Sequence, residues 1–339
     1  MGKIFRFILV LLVIVIAVAA WLVFGSATSF SGKNKFLYLR EGQNNKDSLV
    51  AILKRGDYIS NTRTFNFLAD KLDMWEKLKP GKFEITNGES ALNIVRKLKN
   101  NNQSPVNLVI NKLRTREDLA KLIGKQFAID SASAADFLNS NDSLKAFGVD
   151  TAMFMTLVIP NTYTYTWTAS MSKIITKLKD EKERFWNKND RLVKASATGL
   201  SADQVYIIAS IVEEETNRHD EKGNIASVFL NRLNAGMPLG ADPTIKYALR
   251  DFGLKRLYFK HLDVVSPYNT YRNKGLPPGP ICTPSPITID KVLEATKTDY
   301  FYYVAKTDGS GYHHFSTTFE EHQKYASQYH QTQNERGNR

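Results

Sequence analysis

Three consecutive carboxylates, Glu213, Glu214 and Glu215, close an otherwise apolar stretch at residues 205–212. At about 100° per residue, Ile208, Ile211, Val212 and Glu215 share one helix face, and Val205 extends it backwards. Glu213 and Glu214 point away from that face. A carboxyl on the apolar stripe is partly desolvated, which disfavours its charged form and raises its pKa. An acid still protonated near neutral pH is what protonation of a glycosidic oxygen requires. The competing reading is a solvated helix end, with Glu215 wet or paired to Arg218 at i+3.

An ordinary glycosidase uses two carboxylates. The second candidate here is Asp242 in "ADPT", which as Asp before Pro is equally a turn former. Thr244, two residues on, is either a ligand for a substrate amide or a helix cap. Tyr268, Asn269, Thr270 and Tyr271 stand in a row between loop breakers; two of them, Asn269 and Thr270, are poor core residues and suit a sugar. His313 and His314 end a strand, so one faces each side of its sheet. With His322 they lack any recognised metal-ligand spacing, and no metal site or cofactor is expected. Cys282 is the single cysteine. No intramolecular disulfide is possible, and its proline-rich surroundings offer no activating base, so a packed residue is expected.

These groups need a scaffold. Ser201 and Gln204 form an S-x-x-Q capping box that starts the Glu215 helix. The next helix, "NIASVFLNRLNAG", closes at Gly236. Loops follow, "ADPTIKYAL" and "SPYNTYRNKGLPPGPICTPSP", then a helix and the hairpin "DYFYYVAK"–"YHHFS". Upstream, a strand, two short helices and a strand occupy about 50 residues, the size of a LysM-type sugar-binding module. A helix capped at Thr115, with Asp118 three residues on, opens a mostly helical region interrupted by "IPNTYTYTW".

Length allows two domains and an anchor. The chain has 339 residues and a net charge of +12, which favours phospholipid head groups or acidic wall polymers as surroundings. Zinc-finger spacing, RNP-type aromatics and a concentrated basic stripe are all missing, so no nucleic-acid partner is expected. Residues 7–24 are uncharged and apolar, enough nearly to cross a hydrocarbon core. Lys3 and Arg6 precede them and place the N-terminus in the cytoplasm. A signal peptide is the rival, but the run is longer than its apolar core and ends in the bulky Trp21–Phe24. The expectation is a single-pass anchor with everything after it outside the cytoplasm. The expected class is α+β: anchor 1–25, polar linker 26–35, LysM-like module 36–104, connecting region 105–195 and catalytic domain 196–339.

The ordered motifs "ASIVEEET", "ASVFLNRL", "ADPTIKYAL", "YNTY", "GLPPGPICTP" and "HHFSTTFEEH" resemble the endolytic murein transglycosylase (YceG-like) family over most of the chain. The family glutamate is the second acid of an E-K-E motif, which falls on Glu215. Glu214 stands where that motif has Lys, and Asn161 where the family pattern has Asp. The resemblance implies a lyase that cuts peptidoglycan between MurNAc and GlcNAc, terminates nascent glycan and leaves 1,6-anhydro ends. It implies Glu215 as the catalytic acid and peptidoglycan synthases as neighbours. Asp242, Thr244, Tyr268, Asn269, Thr270 and His313 are the expected substrate-binding residues. The alternatives are a hydrolytic muramidase using Glu215 and Asp242, and a non-catalytic, membrane-anchored glycan-binding protein.

Overall fold

Alternation dictates the first sheet. In the computed structural model, which describes residues 2–335, β1 (Asn34–Leu39) pairs antiparallel with β2 (Gly81–Thr86), Leu37 opposite Phe83. Leu37, Leu39, Phe83 and Ile85 point inward and are buried, whereas Phe36 and Tyr38 point outward. Between the strands lie α2 (Lys46–Arg55), α3 (Thr62–Lys71) and the single turn α4 (Met74–Lys77); α5 (Ala91–Lys99) follows β2. Each of the three longer helices starts where a side chain satisfies a free N–H group: Asn45, Asn61 and Ser90. Their inward residues, among them Leu49, Leu53, Phe65, Ile94 and Val95, complete one apolar core.

The N-terminal helix α1 (Gly2–Phe24) has 23 residues, none buried, and a mean hydropathy of 3.3 over its most apolar window. Its length, about 34 Å, matches a bilayer core. The stretch after it, expected as a free polar linker, is instead bound to this unit. Ala27 is buried and donates its N–H to the Glu89 carbonyl at 3.0 Å, and it accepts from Ser60 N–H at 2.8 Å. Thr28 bonds Asn87, and Val23 and Phe30 pack on the core. The polar side chains that read as a linker here supply edge hydrogen bonds.

The chain divides into two compact units. One holds the residues up to Asn107 with 126–129 and 164–170, and the other holds 108–125, 130–163 and everything from Met171. Residues 105–195 are therefore shared between both units. Along the chain follow β3 (Val106–Ile110), α6 (Arg116–Gln126), α7 (Ser131–Leu138), α8 (Asn141–Lys145), a 3-10 turn at Phe154–Leu157, β4 (Asn161–Tyr165), α9 (Met171–Trp186) and α10 (Arg191–Ala197). The C-terminal half adds α11 (Ala202–Glu215), α12 (Lys222–Asn234), α13 (Asp242–Leu249), α14 (Phe259–Leu262), α15 (Pro286–Leu293), β5 (Tyr302–Ala305), β6 (His313–Ser316) and α16 (Phe319–Glu335). The described strands form three two-stranded sheets, β1-β2, β3-β4 and β5-β6, giving a mixed α+β fold with an apolar N-terminal helix.

The second unit is built around α11. Its capping box is present at Ser201 and Gln204, and residues 205–212 are all buried. Helices α10, α12, α13 and α15 pack on it. A helix enclosed on every side has no solvent face. One expectation fails on this unit. "ADPTIKYAL" is a helix, not a loop: Asp242 and Pro243 open α13, where the missing proline N–H costs nothing. Residues 319–335, on which the sequence reading is silent, form α16.

Candidate active site

The three glutamates leave α11 in three directions and meet three environments. Glu213 accepts from Lys222 Nζ at 3.0 Å and Ser285 Oγ at 3.0 Å, and from Thr288. Lys222 is itself buried and donates to Thr288 at 2.6 Å. Burial opposes the charge of Glu213, but the donors from Thr288 and Lys222 outweigh it and hold the pKa below the ordinary value. Glu214 receives Arg114 in a fork, Nε at 3.1 Å and Nη2 at 2.9 Å, with Lys112 at 2.9 Å. There too burial is overcome, by Arg114 and Lys112, and the pKa is lowered. Both carboxylates point away from the Ile208–Ile211 face, as the helix wheel has them, and are largely enclosed ion-pair partners.

Glu215 has no such partner. The residue as a whole is half-buried, but Oε1 is shut off from solvent with no hydrogen bond. Burial, and then the negative Asp242, push its pKa up to about 8. Tyr303, from β5, favours the ionised carboxyl, and with Lys246 and Arg232 it partly offsets the rise. The i+3 pairing with Arg218 does not form; Arg218 binds the Ser310 carbonyl and lies over the Tyr312 ring. One acid is therefore kept neutral between two that are kept charged.

Asp242 opens α13, and its carboxylate accepts from the Tyr271 hydroxyl. Burial and Asp242 raise the Tyr271 pKa, with Glu215 contributing, so the structure brings Tyr271, Asp242 and Glu215 into one electrostatic cluster. Arg232, on α12, is fixed by the Phe301 and Leu239 carbonyls, each at 2.6 Å. Tyr303 and Arg232 were not among the expected site residues. Tyr303 lies on the strand paired with that of His313, opposite Phe315, and its ring meets the His313 ring edge-on.

The remaining expected residues fall into two groups. Thr244 and Thr270 are buried, and their hydroxyls are spent on each other at 2.8 Å, on the Ala241 carbonyl and on the Ala241 N–H. Asn269 is buried; its amide donates to the Leu262 and Val264 carbonyls at 2.8 and 2.9 Å and accepts from Tyr271 N–H at 3.0 Å. The polar atoms of these three are engaged within the loop and α13. Tyr268 packs its ring 4.7 Å from that of Tyr247. His313 turns toward Tyr303 and bonds Glu221 through Nδ1 at 2.9 Å, while His314 stacks on Tyr325 of α16. The two histidines thus face opposite sides, as the strand requires. Cys282 is buried against the Ser210 carbonyl.

An enclosed neutral carboxyl flanked by tyrosine hydroxyls defines a site suited to acid catalysis. A model of the YceG-like family matches residues 37–328, and the chain belongs to that family. It is 40% identical over 137 residues, 40% of this chain, to an endolytic murein transglycosylase of Bacillus subtilis. It is 25% identical over 321 residues, 85% of this chain, to an endolytic murein transglycosylase of Streptococcus pneumoniae. These matches span 37% and 57% of the relatives' own lengths. The crystal structure of a YceG-like protein from Listeria monocytogenes superimposes with a TM-score of 0.54 at 29% identity, covering 87% of this chain and 99% of that one.

Proposed function

We propose that this protein is a membrane-anchored lytic transglycosylase that cuts peptidoglycan between MurNAc and GlcNAc. The carrying observation is the Glu215 carboxyl, kept protonated to about pH 8 by burial. In this reading Glu215 gives its proton to the bridging oxygen as the glycosidic bond breaks. Its conjugate base then takes the proton of the MurNAc 6-hydroxyl as that oxygen bonds to C1. One carboxyl thus serves as acid and then base, and the product is a 1,6-anhydro end. Tyr303 holds the carboxyl in place. The Asp242–Tyr271 pair sets the local field and raises the affinity of Glu215 for its proton. Tyr268 and His313 are the residues assigned to the sugar in this reading.

The names of the relatives support the substrate class, and α1 supports the anchor. The orientation follows from Lys3 and Arg6: N-terminus in the cytoplasm, both folded units outside it. The β1–α2–α3–β2 unit we read as a LysM-like glycan-binding module, and peptidoglycan synthases as neighbours at the membrane. Glu215→Gln keeps the side-chain shape and removes the acid, so it should abolish release of soluble fragments from purified glycan strands. Normal turnover in that variant, with loss at Glu213→Gln instead, would move the role to Glu213. Sedimentation of residues 26–107 without insoluble peptidoglycan bound would remove the LysM-like reading.

A further inference from the structure

The loop between α13 and Tyr268 carries apolar side chains that the fold leaves uncovered. Phe259 is 90% exposed and Val265 93%, and Tyr258 is also exposed. Isolated exposed apolar residues are ordinary, but two large ones held outward on one projecting loop are not. The loop is built, not slack. Asn269 clamps the Leu262 and Val264 carbonyls from beneath. Arg272 donates to the Asp263 carbonyl at 3.1 Å, and Asn273 to the Ser266 carbonyl at 2.9 Å. Four hydrogen bonds, two from the buried Asn269 and one each from the exposed Arg272 and Asn273, fix a segment whose tip gains no packing from them. That investment makes sense where the tip meets something outside the chain.

The charge around the tip says what. Lys255, Arg256 and Lys260 lie within residues 251–266, against Asp251 and Asp263, and Arg272 and Lys274 flank the segment. Exposed aromatic and aliphatic residues on a segment rich in lysine and arginine suit an anionic lipid surface, with the apolar groups at the acyl boundary and the cations at the phosphates. We infer that residues 254–266 form a second membrane contact, seated in anionic phospholipid head groups beside the Glu215 site. The inference rests on the anchored reading above. Through Asn269 and Tyr271 the same loop reaches Asp242, so a membrane-seated loop would hold the acid at a set height above the bilayer.

The test uses the full chain in nanodiscs of mixed phosphatidylglycerol and phosphatidylcholine. Single fluorophores are placed through Phe259→Cys, Val265→Cys, Lys188→Cys and, in α1, Ile14→Cys; the buried Cys282 stays unlabelled. Acyl-chain nitroxide lipid should quench the labels at 259 and 265 by about twofold or more, as expected for side chains at the acyl boundary. The label at 188 should be unaffected, and Lys255→Glu with Lys260→Glu should remove most of the quenching. Unquenched labels at 259 and 265 overturn the inference. Quenching at 14 in that case leaves the anchor standing, and its absence there removes the anchor as well. Emission at 259 that rises with protein copies per disc, without nitroxide quenching, would reveal contact between copies and would also overturn it.

Discussion

Glu215→Gln should make the protein more stable while making it inactive, and the pH dependence can be worked from the structure. The carboxyl titrates near 8 in the folded chain against 4.5 in its ordinary state. Between those values the folded form keeps a proton that the unfolded form has lost. Stability is therefore full below about pH 4.5, falls as pH rises through the window, and levels off above about pH 8. At pH 7 the gap is two and a half pH units, which at about 1.4 kcal/mol each costs the wild type roughly 3 kcal/mol. Part of the residue still touches solvent, so the expected effect is about 1–3 kcal/mol. Glutamine is neutral throughout and carries no such cost. Urea unfolding of residues 26–339 at pH 4.5, 7 and 8.5 measures the difference. The variant should match the wild type at pH 4.5 and exceed it at pH 7 and 8.5. Equal or lower stability of the variant at pH 7 would mean that Glu215 is ionised in the fold, and the acid role would fall with it.

Lys222→Met should destabilise by roughly 3–5 kcal/mol, because it strands Glu213 as a buried, unpaired charge; an unchanged urea midpoint would refute that ion pair. Tyr303→Phe removes a donor that favours the ionised carboxyl, so the alkaline limb of kcat/KM should move to higher pH as kcat falls. An unmoved limb would separate Tyr303 from Glu215. Asn269→Ala loses two donated and two accepted bonds and should cost about 2–4 kcal/mol, seen in the melting temperature; a variant that loses only turnover would restore Asn269 to the substrate. Starting the chain at residue 31 instead of 26 should lower the stability of the first unit, since Ala27 and Thr28 close its edge; equal stability would make residues 26–30 a true linker.

Periodicity singles out Glu215 because it continues the line of Ile208, Ile211 and Val212, but residues 205–212 are buried on every face, so it is the partners of Glu213 and Glu214 that set Glu215 apart. The roles of Glu213 and Glu214 were hidden, because Lys222, Thr288, Lys112 and Arg114 reach them from other elements and no spacing in the sequence announces such partners. Capping chemistry marked Ser201 and Thr115 well, since both ends of each box lie within one turn. It misled at Asp242-Pro243, where the same dipeptide begins a turn or a helix depending on what packs above it. Thr244, Asn269 and Thr270 looked like ligand residues because polar side chains are poor core material. The fold buries them with every polar group satisfied, a tertiary outcome that composition cannot convey. Tyr303 was invisible for a related reason: as one tyrosine in an aromatic strand, it meets Glu215 only after the hairpin docks.

The central claim is that Glu215 acts alone, as acid and then base. The direct measurement is mass analysis of the new ends formed when the wild type digests purified glycan strands. The account predicts 1,6-anhydroMurNAc ends, 18 Da lighter than reducing ends by the loss of one water, and none in the Glu215→Gln digest. Reducing ends would mean that water is the nucleophile and that a second carboxylate such as Asp242 takes part. No new ends at all would leave a glycan-binding protein without chemistry.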